Sequence, residues 1–509
     1  MSRDTTVSHY LYCRILETGC MSASDGAGVI ERIGFRMSEV VERWMPSPFV
    51  FAILLTYIVY VAGLVATDSG PVELLEFWYG GFWAFLGFSM QMVLILMTGF
   101  VIAYHPRVNA ILQRLAEVPN SGAQAAAFVG FISMSLAWVH WGFSLIMGAI
   151  FAREMGKIAH KKDINIHYPL LAVAGYMGLG LTWHWGISGS APLQLTDANN
   201  IGEGTGFEFL TSTVPAAETI FHPYALTLTA LSIVFASAVL YVLAPSGDRA
   251  KGVTEYVDEA DLFDSAADGG RATDDAATDG GTDAADAADP VDEPPAEVAD
   301  VPAERLNNSR IIGGLVALSG VAILALQFAG QGLGAFTLNA VNFGFLFAGL
   351  LIYQRPAYYR DRFNDAAGAA AGIVLLFPFF AGIQGIMASS GLALLLAEGL
   401  LEVSTAATYP VIAWVVGSVA NLFVPSGGGE WLVVGPSVLQ AAQELGVPYG
   451  QATIAYAVGD AHTNLLNPFW ALPLLAITNV RAREMFGYAI AMLIALIPFL
   501  AVALYAVPY

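Results

Sequence analysis

The chain has 509 residues, 56% of them hydrophobic and only 12% charged, with a mean hydropathy of +0.61. A soluble domain carries about 25% charged residues, so the bulk of the chain is neither a soluble globule, a nucleic-acid binder nor a disulfide scaffold; its class is a polytopic membrane protein. The formal charge of −21 is local, because Asp248 to Glu304 hold 18 acidic and 3 basic residues, net −15, which leaves −6 for the rest.

Four lysines stand against seventeen arginines, and the exposed segments are rich in Asp. This balance suggests adaptation to high salt, as in a halophilic archaeon, where hydrated carboxylates keep a surface soluble; the plainer alternative is a high-GC genome with one acidic loop. Cys13 and Cys20 both lie in the N-terminal tail, so no structural disulfide and no Cys-based metal site are expected.

Residues 1–47 read as a cytoplasmic N-terminal segment. Residues 1–20 contain Arg3, Arg14 and Glu17 and lack an apolar core, so no secretory signal is expected, and Met21 is an alternative initiator. Ile30, Ile33, Met37, Val40, Val41 and Trp44 share one face of a helix over 29–44, with Arg32, Arg36 and Arg43 in the polar remainder. Such a helix lies in the membrane interface.

Apolar runs long enough to span a bilayer lie near 48–67, 80–104, 168–187, 219–243, 310–329, 338–354, 369–389, 451–475 and 485–507, about nine full spans. Two more, 124–152 and 409–441, are interrupted, the first at Val139-His140-Trp141-Gly142 and the second at Val424-Pro425-Ser426-Gly427-Gly428-Gly429-Glu430. Each reads as a hairpin that enters the membrane and returns to the same side. Irregular backbone is tolerated there only against protein or a water-filled cavity.

Basic residues orient the chain. Arg32, Arg36 and Arg43 place the N-terminus in the cytoplasm; the loop with Asp68, Glu73 and Glu76 lies outside. Arg107 and Arg114, Arg153 to Lys162, Arg249 with Lys251 and Arg310, Arg355 to Arg362, and Arg481 with Arg483 are inside, and the C-terminus is outside. The expected fold is all-α, with a first transmembrane repeat over 48–244, an acidic disordered cytoplasmic linker over 245–309, a connecting helix over 310–337 and a second, inverted repeat over 338–509. Each repeat has a re-entrant hairpin and a broken helix. Inverted repeats with broken helices mark secondary transporters, with the substrate near the midplane.

Three segments carry the candidate chemistry. Around Thr182-Trp183-His184-Trp185-Gly186-Ile187-Ser188-Gly189-Ser190-Ala191-Pro192, the glycines and proline favour unwinding. Ser188 and Ser190 then offer hydroxyls to a carboxylate beside freed N–H groups, and His184 is a proton carrier or hydrogen-bond donor. In the matching segment Gly459-Asp460-Ala461-His462-Thr463-Asn464-Leu465-Leu466-Asn467-Pro468, Asp460 and His462 are ionisable groups at membrane depth, functional by default. They are assigned to ion coupling together with Glu430; Asn464 and Asn467, like His184, are assigned to substrate, with a Na⁺ site near the two asparagines as a further option. At the second hairpin tip Ser426, Gly427 and Gly428 offer backbone N–H groups to an anion, and Glu430 pairs with a cation or a neighbouring His. At the first tip Trp138 and Trp141 read as packing, and His105, His160, His167 and His222 as interfacial.

Taken together, Tyr176 with the 182–192 segment, Val424 to Trp431 and Gly459 to Trp470 resemble the short-chain fatty acid transporter family of the AtoE type, over residues 30–507 apart from the acidic loop. That family is similar in layout to the wider ion-transporter superfamily, where two hairpins and two broken helices form the site and homodimers move by an elevator mechanism. The resemblance implies short monocarboxylates such as acetoacetate or butyrate as substrates, and a plasma-membrane carrier without an organic cofactor. The Ser-Asn-Thr hairpin motifs of the superfamily are not evident, so its sodium-site residues are not carried over, and the resemblance leaves H⁺ and Na⁺ both open as the coupling ion.

Two other readings are open. A dicarboxylate or other organic-anion carrier is disfavoured because Lys and Arg fall in loops or at span ends, leaving none to neutralise a second carboxylate. Gly186-Ile187-Ser188-Gly189 also fits the nucleophile motif of rhomboid proteases with His462 as base, although the two matching halves favour a carrier, not an enzyme.

Overall fold

The computed structural model describes residues 48–245, 247, 250–259, 262, 301–423, 426–467 and 469–509. The amphipathic helix expected over 29–44, most of the acidic linker, and Val424, Pro425 and Pro468 lie outside them. Every regular element among the described residues is a helix.

The first half runs α1 (Pro48–Ala66), α2 (Pro71–Gly81), α3 (Leu86–Ala103), α4 (Pro106–Ala116), a hairpin of α5 (Gly122–Val139) and α6 (Trp141–Lys161), an interrupted pair α7 (Tyr168–Met177) and α8 (Ser190–Gln194), then α9 (Pro223–Leu243). After α10 (Pro302–Asn307) and α11 (Arg310–Gln331) the same order returns. It comprises α12 (Leu338–Tyr353), α13 (Pro356–Ser390), α14 (Leu392–Glu402), the hairpin α15 (Tyr409–Phe423) and α16 (Gly427–Leu445), the interrupted pair α17 (Tyr449–Thr463) and α18 (Leu472–Thr478), and α19 (Ala482–Ala506). The long α13 stands where α2 and α3 stand in the first half, and α14 matches α4, each 11 residues long.

Six helices among the described residues have the length and hydropathy to cross a bilayer, namely α3, α5, α9, the helix containing α11, the second part of α13, and α19. The runs near 168–187 and 451–475 do not continue as single helices; their α-helical parts end at Met177 and Thr463. The short helices α2, α4 and α14 are additions to the sequence reading.

The helices form two groups. In the first, α13 packs along α1, α2 and α3, α12 leans on α3, and α11 on α12. The second holds both hairpins, both interrupted pairs, α9 and α19, with α15 lying along α17 and α5 along α7 and α9. The groups meet where α6 crosses α3 and where α16 crosses α13 and α14. On α11, Ile311 and Leu326 are 75% and 73% exposed, which suits contact with lipid chains.

Local chemistry explains the breaks. His140 is extended between the hairpin arms, and its Nδ1 accepts the Phe143 N–H at 3.2 Å. The Ser188 hydroxyl accepts the Trp141 N–H at 2.9 Å. Two of the orphan donors at the start of α6 are thus satisfied inside the protein. Past Met177 the chain widens into a π turn over Gly178–Thr182, a form common at functional sites. The Thr182 hydroxyl donates to Met134 O at 2.6 Å and the Ile187 N–H to Trp138 O at 2.6 Å, so the broken segment is tied to α5.

One expectation needs correction. The start of the acidic stretch is not free linker. Val253, Val257 and Leu262 are buried, Lys251 Nζ donates to Glu484 at 2.6 Å, and the Tyr168 ring packs at a tilt against Tyr256. An apolar i, i+4 pair within an acidic run has found the ends of α6, α7 and α19 to pack on.

Helices α6 and α7 approach backbone to backbone. A Cβ at Gly148 would lie 2.2 Å from Gly175 O. Gly148→Val is expected to destabilise by about 3 kcal/mol and to abolish the monodisperse peak in detergent size-exclusion chromatography. Gly314→Ala, where a Cβ meets nothing within 4 Å, should leave the peak unchanged. Ser188→Ala removes one cap of α6 and should cost about 1 kcal/mol, read as a lower Tm of the purified protein.

Candidate functional site

The two interrupted segments cross at the centre of the second group and bind each other. The Tyr176 hydroxyl donates to Asn464 O at 3.1 Å and lies 3.3 Å from Asn467 O. The Asn464 amide nitrogen donates to Leu179 O at 3.1 Å, and its oxygen accepts from Asn421 Nδ2 at 3.0 Å. Asn421 also reaches Asp460 O at 2.8 Å and the Thr463 hydroxyl at 3.0 Å. The carbonyls freed where α17 ends therefore have protein partners.

Above this crossing lies a pocket whose empty space, mouth included, is about 410 Å³. Ser190, Ser426, Gly427, Gly428 and Asn464 line it together, with Trp141, Leu179, Trp183 and Trp470 around them. The facing wall comes from the first helix group, with Met92 of α3 and Ile373 and Phe377 of α13. All the polar side chains belong to one group and the other offers only apolar ones. No lysine, arginine or histidine is among the lining residues.

The glycine run at the second tip starts α16, with Ser426 extended as its cap. None of Gly427, Gly428 or Gly429 has a positive φ. Space is what excludes a side chain: a Cβ at Gly427 would lie 2.5 Å from the Trp183 ring, and one at Gly429 2.3 Å from the Phe380 ring. The N–H groups of Gly427 and Gly428, at the helix start, are donors without intrahelical acceptors beside the pocket.

Behind Ser190 runs a buried chain of polar groups. The Ser190 hydroxyl is 2.8 Å from His184 Nε2, which also accepts the Ala191 N–H at 3.2 Å. His184 Nδ1 meets the Asp460 carboxylate. Asp460 faces Glu430 of α16, and Glu430 faces Tyr456, one turn before Asp460 on α17. His184, Glu430 and Asp460 are all 0% exposed. The imidazole is stacked on Trp183 at 4.4 Å, so the pocket wall also holds the ring.

Of the residues picked out in the sequence, five line the pocket, and His184, Asp460 and Glu430 form the chain behind it. Ser188 instead caps α6 at the first hairpin tip, and Asn467 lies below with its carbonyl beside Tyr176. His462 is a correction. Its Nε2 lies 3.0 Å from Leu493 O of α19 and its ring stacks on Trp414, away from Asp460. Residues two apart on a helix point to different faces, so only one of the pair reaches the centre. Ser188 and His462 do not pair, which removes the nucleophile and base of the rhomboid reading. Trp141, expected to pack, lines the pocket, while Trp138 does pack, 6.1 Å from Phe221. Asn421 and Tyr456 were not anticipated. Tyr456 sits four residues before Asp460, on the same helix face; Asn421 is a lone amide in an apolar hairpin arm.

Comparison with known proteins gives this arrangement a context. A solved structure, that of the YdaH transporter of Alcanivorax borkumensis, superposes with a TM-score of 0.55 at 17% identity, covering 90% of this chain and 98% of that one, which shows a shared fold. A candidate short-chain fatty acid transporter of Escherichia coli K12 is 34% identical over 468 residues, 92% of this chain and 97% of the relative. One of the same description from Haemophilus influenzae is 32% identical over 480 residues, 94% and 100% of the two chains. The profile of the short chain fatty acid transporter family matches residues 29–507, and the chain belongs to that family of multi-pass membrane transporters.

Proposed function

We propose that the chain is a secondary active carrier of short-chain monocarboxylates, such as acetoacetate or butyrate, driven by an H⁺ or Na⁺ gradient across the plasma membrane. The observation that carries this reading is the composition of the pocket. Two hydroxyls, one amide and two helix-start N–H groups converge in a space otherwise walled by tryptophan and aliphatic side chains. Such a set suits one carboxylate with a short apolar tail. With no cation in the lining, a second carboxylate would be buried unpaired, at a cost of several kcal/mol.

The carboxylate is held by Ser190, Ser426 and the second amide hydrogen of Asn464, whose first hydrogen goes to Leu179 O. Its tail packs on Trp141, Trp183 and Phe377. Every polar contact comes from the group that contains the hairpins, so that group carries the substrate as it moves against the apolar wall of α3 and α13. This is alternating access of the elevator type. The recurring element order forms two halves of opposite orientation, with the N-terminus in the cytoplasm and the C-terminus outside.

The Ser190, His184 and Asp460 series has the order used for acyl transfer in serine hydrolases. The family relationship favours transport over such a reaction.

Initial rates of radiolabelled acetoacetate uptake into proteoliposomes, measured over protein-free vesicles, test the reading. Gradient-driven uptake should be competed by butyrate and not by succinate; competition by succinate at equal concentration would overturn the monocarboxylate assignment. Ser190→Ala or Asn464→Ala removes a hydrogen bond to a charged group, about 2 kcal/mol, for a rise in KM of about thirtyfold. Unchanged KM in both variants would remove the carboxylate from this end of the pocket.

A further inference from the structure

Two carboxyls and one imidazole, all fully buried, lie together. Glu430 comes from α16, Asp460 and Tyr456 from α17, and His184 from the segment after the π turn. From α15 the neutral Asn421 takes the backbone carbonyl of Asp460 on α17. Towards α19 the same helix shows His462, bonded to Leu493 O. Among the described residues no ion pair joins either carboxyl to a lysine or arginine. Neither oxygen of Glu430 has a hydrogen-bond donor that meets normal geometry, and both are fully buried.

Charge counting limits what this cluster can hold. With Glu430 and Asp460 ionised and His184 neutral, the net charge is −2. An uncompensated buried charge is strongly disfavoured, and the cluster becomes neutral on holding two protons. An anion in the adjoining pocket restores a net −1, and a third proton cancels it. Resting on the reading that the pocket takes a carboxylate, we propose that His184, Asp460 and Glu430 form one proton site that gains one proton for each carboxylate bound, and that Ser190 communicates the occupancy to the pocket.

The hydrogen bonds supply the link. Because Nε2 accepts the Ala191 N–H, the neutral ring carries its proton on Nδ1, towards Asp460. Ser190 then directs its hydroxyl hydrogen at Nε2 and turns only lone pairs to the pocket, which repels a carboxylate. When Nε2 takes up the proton, it releases the Ala191 N–H and the bond to Ser190 reverses. Nε2–H donates to the Ser190 oxygen, and the serine's own hydrogen turns into the pocket to meet a carboxylate oxygen. No covalent bond other than the N–H of the arriving proton is made. The site also replaces the earlier assignment of His462 to coupling, since that ring is occupied elsewhere.

Two measurements test the site separately from the substrate. The first needs no substrate: infrared difference spectra of the purified protein between neutral and alkaline pH. The expected result is a carbonyl stretch of protonated carboxylic acids in the wild type, weakened in both Glu430→Gln and Asp460→Asn. Absence of this band, or a band untouched by both substitutions, overturns the proposal. The second is uptake by the wild type. An inward pH gradient of one unit should drive acetoacetate up by about tenfold at 1:1 stoichiometry. The initial rate should ignore both Na⁺ and a valinomycin-clamped potential, because the loaded carrier is neutral. In His184→Gln the stimulation by the pH gradient should vanish, because both carboxyls already hold protons and no group is left to take the third. Uptake driven by Na⁺ at clamped pH, or by potential, overturns the proposal. If the carboxyl band behaves as expected while no monocarboxylate is transported, the proton site stands and the substrate reading falls.

Discussion

Backbone that leaves its helix inside a bilayer has to find its hydrogen bonds within the protein, and the structure is arranged around that constraint at two places. The chain unwinds after α7 and again after α17, and each break supplies partners for other irregular backbone. Tyr176 and Leu179 from one half meet Asn464 and Asn467 from the other. Ser188, beyond the first break, caps the helix that starts at the first hairpin tip. Unwinding in one half is thus made tolerable by unwinding in the other. The hairpins lie against the breaks because their own tips carry the same need.

The pocket is a consequence of that crossing. Where two breaks and two tips meet, ordinary side-chain packing gives way to glycine, serine and asparagine, since only small or hydrogen-bonding residues fit between backbones that approach so closely. Around them tryptophans fill the wider gaps. The opposite wall can be apolar throughout because α3 and α13 are continuous helices there and expose no backbone donors. The asymmetry between a polar group and an apolar wall follows from which helices are broken.

Much of this is legible in the sequence, and the rest is not for definite reasons. Gly186, Gly189 and Pro192 announce the first break, and the glycine run with Ser426 announces the second tip, since local preference decides both. Pairing between distant segments is decided by rotation about helix axes, which no local pattern fixes. Asp460 and His462 illustrate this: each is an ionisable group in an apolar helix, yet the turn between them sends one to the centre and the other to α19. Asn421 is invisible for the same reason, because an amide in an apolar arm gains meaning only from the carbonyls and hydroxyl that it reaches. The docked start of the acidic stretch escapes notice because charge dominates its composition, while Val253 and Val257 give it a buried face.

The absence of lysine and arginine around the pocket is the counterpart of the buried carboxyls. A fixed guanidinium beside the serines would hold a carboxylate tightly in every conformation and leave a bare cation in the bilayer once the anion departed. A carrier has to return empty as well as loaded, so a permanent charge helps one half of the cycle and hinders the other. Groups that are neutral at rest, hydroxyls and an amide, would bind the proposed anion weakly and cost nothing on the way back. On the proposed reading, compensation for the anion's charge arrives and leaves with it, and the titratable groups placed one hydrogen bond behind Ser190 are the proposed place for such a transient charge.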